Sequence, residues 1–178
     1  MLNLGVPAKS VEGFDEHDKA LILDVGNMHY GVLAQFDKPI VFGLLTDPSK
    51  AADLDSLNLY KDISHKDLVL QYEVRLEEQH ICGGAYLKLL RPESSPYSEL
   101  TSSIDNDTPY SVMFGPDKCG STNKVHFIVQ IQNPLTKIWV EHHYRDILSM
   151  ANDKRTHLYA IHIKKNGDFD IYLDNIKV

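Results

Sequence analysis

This chain has few cysteines, a single tryptophan and no excess of positive charge. Its 178 residues include two cysteines, and 18 Lys and Arg residues stand against 25 Asp and Glu residues, for a formal net charge of −7. Proteins that bind a phosphate backbone concentrate Lys and Arg on one face, and the sequence has no such cluster. We therefore expect no nucleic acid among its partners.

Long apolar runs are also missing. No run approaches the roughly 20 residues that a membrane-spanning helix requires, so we expect no membrane span in this chain. Met1 to His17 lacks the basic and apolar regions of a secretory signal, and neither an anchor nor a retention signal is recognisable. The 43% hydrophobic content is enough for a core. We expect one domain over residues 1–178, with residues 1–17 poorly assigned.

Alternation of apolar and polar residues is the dominant pattern along the sequence. Leu68 to Leu76 and Val125 to Ile131 each place apolar side chains at every second position, which is typical of strands with one buried face. Asn166-Gly167 is a strong hairpin turn signal. It predicts that Thr156 to Ile163 pairs with Asp168 to Leu173.

The remaining segments give weaker indications of their secondary structure. Gly26-Asn27 suggests a hairpin between Ala20–Asp24 and Met28–Phe36. Helix is scarce, with short candidates at Ser49–Leu59 and Tyr144–Asn152. Many short antiparallel strands joined by Gly and Asn turns indicate an all-β fold of two packed sheets, either a sandwich or a jelly roll.

The two cysteines, Cys82 and Cys119, each stand beside a glycine. The residues alone leave open whether they form one disulfide or remain two buried thiols. Tyr86, Lys88 and Tyr110 lie close to them in the sequence and offer flat apolar rings and hydrogen-bond donors, which suit a pyranose ring. A carbohydrate-binding site is the interpretation that these side chains favour.

Five segments resemble the globular lectin domain of the calnexin/calreticulin family, most closely that of calnexin or calmegin. They are Cys-Gly-Gly-Ala-Tyr-Leu-Lys-Leu-Leu at 82–90, Thr-Pro-Tyr-Ser-Val-Met-Phe-Gly-Pro-Asp-Lys-Cys-Gly at 108–120, Lys-Val-His-Phe-Ile at 124–128, Asn-Pro-Leu-Thr-Lys at 133–137 and Thr-His-Leu-Tyr at 156–159. The resemblance implies a concanavalin-like jelly roll. It also implies a chaperone module of the endoplasmic reticulum lumen that binds monoglucosylated high-mannose N-glycans on unfolded glycoproteins and is not an enzyme.

The resemblance also implies roles for individual residues. By position, the carbohydrate-binding residues would be Tyr86, Lys88, Tyr110, Met113 and Glu141. Cys82 and Cys119 would form a disulfide beside the site. Asp18 resembles an aspartate that helps to bind a structural calcium in this family, and carboxylate oxygen is a ligand that calcium prefers.

The family pattern extends beyond this sequence on both sides. It has a strand segment ahead of Asp18 and a returning segment beyond Val178, so we expect a jelly roll that is incomplete at both ends. Leu44 to Ser64 interrupts the pattern as an inserted loop.

Two other functions are alternatives to the carbohydrate-binding chaperone module. One is a truncated polypeptide-binding chaperone or relic without sugar binding. The other is a jelly-roll glycoside hydrolase that would use Glu73 and Glu141 as its paired carboxylates.

Overall fold

The computed structural model describes residues 2–5, 9–12, 19–23, 29–36, 40, 67–76, 81–91, 104, 106–133, 135–146 and 148–178. The strands there are β1 Leu2–Gly5, β2 Lys9–Glu12, β3 Lys19–Ile22, β4 Tyr30–Leu33, β5 Leu68–Arg75, β6 Cys82–Gly84, β7 Leu87–Leu90, β8 Tyr110–Cys119, β9 Thr122–Gln132, β10 Trp139–His143, β11 Thr156–Ile163, β12 Phe169–Leu173 and β13 Ile176–Lys177. The described ranges contain no helix, and hence none with the length and hydropathy needed to cross a membrane. The expected helix at Ser49–Leu59 and the expected insertion at Leu44–Ser64 lie outside these ranges.

The chain divides into two compact units. The first comprises Met1–Pro39 and Leu90–Pro109 and contains two ribbons, in which β1 pairs with β4 and β2 pairs with β3, both antiparallel. The predicted hairpin between β3 and β4 is therefore wrong. The inference from a turn signal assumes that neighbouring strands pair, whereas strands from the N-terminal seventeen residues take these positions instead.

The second unit comprises Ile40–Leu89 and Tyr110–Val178. Its first sheet, sheet I, has the order β10-β9-β8-β6, and β7 also pairs with β8. Its second sheet, sheet II, has the order β13-β12-β11-β5. The predicted hairpin is confirmed, since β11 and β12 pair antiparallel and the amide of Gly167, at φ 91°, donates to the carbonyl of Lys164.

The core of this unit lies between the two sheets. Alternating residues from both sheets form it: Leu70, Val112, Phe114, Val125, Phe127, Tyr159, Ile161, Ile163 and Ile171. The segment from Tyr144 to Asn152 is not the predicted helix. The amide of Tyr144 donates to Phe127 and the carbonyl of Leu148 accepts from Val125, so backbone groups of this segment bond to β9.

A disulfide joins the neighbouring strands β6 and β8 of sheet I. Cys82 stands directly opposite Cys119 in the antiparallel pairing of β6 with β8, and their Cα atoms are 3.9 Å apart. This distance lies inside the limit of about 7 Å for a bridged pair. The disulfide implied by the resemblance is therefore present, and it anchors β6 just before Tyr86.

Candidate functional site

The outer face of sheet I, opposite the core, carries most of the side chains that the sequence suggested. Leu87 and Leu89 pack against the core, so Lys88 between them points to the outer face. Met113 lies between the fully buried Val112 and Phe114 and likewise points outward. Glu141 joins them, because it stands opposite Gln130 in the β9–β10 pairing and Gln130 follows Val129 of the core face.

Tyr110, Glu141 and Lys88 form one contact group, which we call the Tyr110 cluster. The hydroxyl of Tyr110 lies 2.5 Å from Oε1 of Glu141, and Nζ of Lys88 lies 5.1 Å from the centroid of the Tyr110 ring. The second distance is within the range of a cation–π contact. Regular alternation would turn Tyr110 toward the core with Val112. The hydroxyl of Tyr110 nevertheless contacts Glu141, which lies on the outer face.

The Glu141 carboxylate is held by three donors. Oε1 accepts from Tyr110 and, at 3.3 Å, from Nε2 of Gln130, while Oε2 lies 3.1 Å from Nε2 of His143. The hydrogen bond from Tyr110, followed by those from Gln130 and His143, lowers the pKa of Glu141. A carboxylate oxygen accepts about two hydrogen bonds. Oε2 therefore keeps one acceptor position, and the Glu141 side chain is 44% exposed.

The ring of Tyr110 is almost completely shielded from solvent within this cluster, since Tyr110 is only 4% exposed. Burial, and then its hydrogen bond to Glu141, raise the pKa of the phenol, so it stays a donor. A ligand would therefore meet Lys88 and Glu141 directly, and Tyr110 would orient both.

Tyr86 belongs to a second contact group, the Tyr86 cluster, with Asp117 and His126. The Tyr86 ring meets the His126 ring edge to face at 6.0 Å, and Nε2 of His126 lies 3.0 Å from Oδ2 of Asp117. Burial, and then the neighbouring Asp117 carboxylate, raise the pKa of Tyr86. The ring lies against Gly84, where a Cβ would overlap it. Tyr86 is still 38% exposed, which leaves part of its ring available to a ligand.

The structure thus places the five sequence-predicted residues on one face but in different surroundings. Tyr110 contacts both Glu141 and Lys88, and Tyr86 contacts Asp117 and His126 of the second cluster. Met113 lies on β8 between Tyr110 and Asp117, opposite Ile128 of β9. Sequence reasoning missed four polar residues that complete these clusters: Asp117, His126, Gln130 and His143. The alternation of β9 could have found His126 and Gln130, because both have the parity opposite to Val125 and Phe127.

A calcium site is not visible among the described residues. No group of three or more His, Cys, Asp or Glu side chains within them could hold a metal ion. Asp18, the calcium ligand that the resemblance implies, lies outside the described ranges. The described side chains alone therefore do not fit a calcium ion.

Comparison with known proteins places the chain in a family. The model of the Calreticulin family matches residues 5–178. A calnexin homolog of Glycine max is 40% identical over 168 residues, which cover 92% of this chain and 30% of that protein. Calnexin homolog 2 of Arabidopsis thaliana is 40% identical over 164 residues, covering 92% of this chain and 28% of that protein. A calnexin homolog of Helianthus tuberosus is 45% identical over 135 residues, covering 75% of this chain and 25% of that protein. The chain therefore spans less than a third of the length of these curated relatives.

A solved structure agrees with the sequence relatives. The globular domain of T. cruzi calreticulin matches with a TM-score of 0.54 and 32% identity, over 64% of this chain and 39% of that one. The antiparallel two-sheet arrangement is that of this jelly-roll fold, as the sequence predicted. With the family model matched over nearly the whole chain and several relatives at 40% identity or more, this chain belongs to the calnexin/calreticulin family.

Proposed function

We propose that this chain is a lectin-type chaperone module that binds the monoglucosylated high-mannose N-glycans of unfolded glycoproteins in the lumen of the endoplasmic reticulum. The Tyr110 cluster is the observation that carries this proposal. It holds an ionised carboxylate with a remaining acceptor position and a lysine ammonium, each in contact with Tyr110. Sugar hydroxyl groups are both donors and acceptors, and this combination serves both.

The arrangement favours binding over bond cleavage. Glu141 lies on the outer face of sheet I, and Glu73 is exposed on β5 of sheet II, between Tyr72 and Val74, which face the core. The two carboxylates are therefore on opposite sides of the sandwich. Packed sheets are about 10 Å apart, and both side chains point away from the core, so they cannot flank one glycosidic bond at the roughly 5 to 9.5 Å that hydrolysis needs.

The test is the affinity for a monoglucosylated oligomannose, compared with the same glycan lacking the glucose. Calorimetry on the wild-type chain should show binding of the glucosylated form and weaker binding of the other. Lys88→Ala and Glu141→Gln should each weaken binding by one to two decades, since each removes a charge-assisted hydrogen bond of roughly 1.5 to 3 kcal/mol. Lys137→Ala is the matched control, because Lys137 is an exposed lysine in the turn between β9 and β10.

Two results would count against the proposal. Equal affinity for both glycans would show that the chain does not recognise the glucose residue. A folded chain that binds neither glycan but holds an unfolded polypeptide would favour the polypeptide-binding chaperone instead.

Calcium binding is a separate part of the proposal, and it rests on the family resemblance at Asp18. Calcium should raise the melting temperature of the wild-type chain, because an ion that binds only the folded state stabilises it. Asp18→Asn should reduce that increase, whereas Asp107→Asn should not. An equal increase in all three proteins would exclude Asp18 as a ligand.

A further inference from the structure

The chain leaves the regular β-ladder immediately before Tyr86. Extending the register of β6 with β8 places Ala85 opposite Pro116, and the amide of Ala85 donates to the carbonyl of Pro116 at 3.0 Å. In an antiparallel pair, two residues bonded in this way normally exchange both hydrogen bonds. Proline has no N–H group, so Pro116 cannot return the second bond. The carbonyl of Ala85 therefore has no donor on the neighbouring strand.

Tyr72 of the opposite sheet supplies that donor. Its hydroxyl lies 2.6 Å from the carbonyl oxygen of Ala85 and 3.1 Å from that of Phe114. A phenol carries one proton, and the shorter distance directs it to Ala85. Burial raises the pKa of Tyr72, so the phenol remains protonated. The ring crosses the core beside Tyr159 and Phe114, at 6.1 and 6.3 Å between centroids.

Gly115 makes room for this contact. Its φ of +149° lies where side chains are rarely tolerated, and a Cβ there would overlap both the Tyr72 hydroxyl and the Ala85 carbonyl oxygen. A glycine, a proline and a tyrosine from three adjacent positions in space thus fit one another. The missing Cβ of Gly115, the missing N–H group of Pro116 and the hydroxyl of Tyr72 together allow the hydrogen bond from Tyr72 to Ala85.

We propose that Tyr72 is a positioning residue for the carbohydrate site, which sets the place of Tyr86 by bonding the carbonyl of Ala85 across the core. The inference rests on the proposed function, because it assigns Tyr72 to the same site. Tyr72 itself touches no ligand in this scheme. Its hydroxyl fixes the backbone between the disulfide-anchored β6 and the strand that carries Lys88.

The decisive variants are Tyr72→Phe and Tyr159→Phe. Each variant removes one hydroxyl group that forms a hydrogen bond with a backbone group in the same core. The Tyr72 hydroxyl bonds Ala85, and the Tyr159 hydroxyl bonds Ala151. Both should lower the melting temperature by a similar amount, on the order of 3 °C. Only Tyr72→Phe should weaken binding of the monoglucosylated glycan, by about tenfold, while Tyr159→Phe should stay within about twofold of wild type.

A rescue variant separates positioning from general damage. In the Tyr72→Phe background, Pro116→Ala restores an N–H group opposite the carbonyl of Ala85, so it should recover part of the lost affinity. Hydrogen exchange at the Ala85 amide supplies a readout without ligand. Exchange should be faster in Tyr72→Phe than in the wild type or in Tyr159→Phe, and slower again in the double variant.

The outcomes are distinguishable. Tyr72→Phe with wild-type affinity, whatever its exchange at Ala85, or an equal loss of affinity in Tyr159→Phe, would overturn the positioning role. Failure of the wild-type chain to bind the glycan would refute the proposed function instead. In that case, unchanged exchange at Ala85 in Tyr72→Phe would refute the anchoring contact, and faster exchange would support it.

Discussion

Tyr110 and Glu141 are 31 residues apart in the sequence, and the hydroxyl of Tyr110 lies 2.5 Å from Oε1 of Glu141. The contact crosses sheet I from β8 to β10, with β9 between them. It joins a covered phenol to a partly exposed carboxylate. The hydrogen bond sets the direction of the Glu141 carboxylate in the unliganded chain. For the proposed glycan site, such preorganisation would lower the entropy cost of binding.

Tyr110→Phe should therefore weaken glycan binding although Tyr110 itself is nearly covered. Removal of the hydroxyl leaves Glu141 free to turn, and we expect a loss of affinity of about tenfold by calorimetry. Tyr144→Phe is a matched control, because the Tyr144 phenol also hydrogen-bonds a carboxylate, that of Asp146, outside the two clusters. An equal loss in both variants would show that Tyr110 acts through stability alone.

Binding should fail at acid pH through Glu141. Its pKa is lowered from the ordinary value of 4.5, so the interactions of its carboxylate are complete above pH 4.5 and disappear as the pH falls through the lowered pKa. Affinity measured from pH 7 downward should stay level to about pH 4.5 and then decrease. Glu141→Gln should bind weakly at every pH without that decrease. Circular dichroism at each pH distinguishes lost binding from unfolding.

His157 should make stability depend on pH in the opposite direction. Its Nε2 lies 2.7 Å from Asp153 and its Nδ1 lies 2.7 Å from Asp174, and only the protonated ring can donate to both carboxylates. The hydrogen bond with Asp153, and then that with Asp174, raise the pKa of His157 above 6.5. The stabilisation is therefore complete below pH 6.5 and is lost as the pH rises through the raised pKa.

The carboxylates of Asp153 and Asp174 determine the pH below which the stabilisation by His157 is lost. Their hydrogen bonds with His157 lower the pKa of Asp153 and of Asp174 below 3.8, so their contribution is lost as the pH falls through those values. Urea unfolding should show the largest difference between the wild type and His157→Gln between about pH 4 and 6.5. His142→Gln is the control. A difference that stays constant up to pH 9 would contradict the prediction.

Reduction of the disulfide should destabilise the fold and the site together. Cys82 and Cys119 are separated by 37 residues, and closing a loop of that length stabilises the folded state by about 4 kcal/mol on the chain-entropy model. Cys82→Ser combined with Cys119→Ser should lower the midpoint of urea unfolding accordingly. Because β6 leads directly to Tyr86, glycan affinity should fall even where the variant is still folded. Unchanged affinity would show that the remaining contacts around Tyr86, among them the bond from Tyr72 to Ala85, are enough to hold it.

Several elements could be predicted from the sequence because their signals are local. The alternation at residues 68–75 and 125–131, and the Asn166-Gly167 turn, placed β5, β9 and the β11–β12 hairpin. Pairing between distant strands was not predictable in this way. The N-terminal ribbons, where β3 pairs with β2 and β4 pairs with β1, show this, since alternation says which face of a strand is buried but not which strand lies beside it.

The family resemblance, the strand character and the residues offered for sugar contact could be read from the amino-acid sequence, because motifs and period-two patterns are properties of short segments. The folded structure was needed to show that Tyr110 meets Glu141, that Tyr86 meets Asp117 and His126, and that the core residue Tyr72 bonds the carbonyl before Tyr86. These contacts join residues from different strands or opposite sheets. Their distances depend on strand register, on the packing of the two sheets and on the missing N–H group of Pro116 opposite Ala85, and none of these effects can be read from one segment alone.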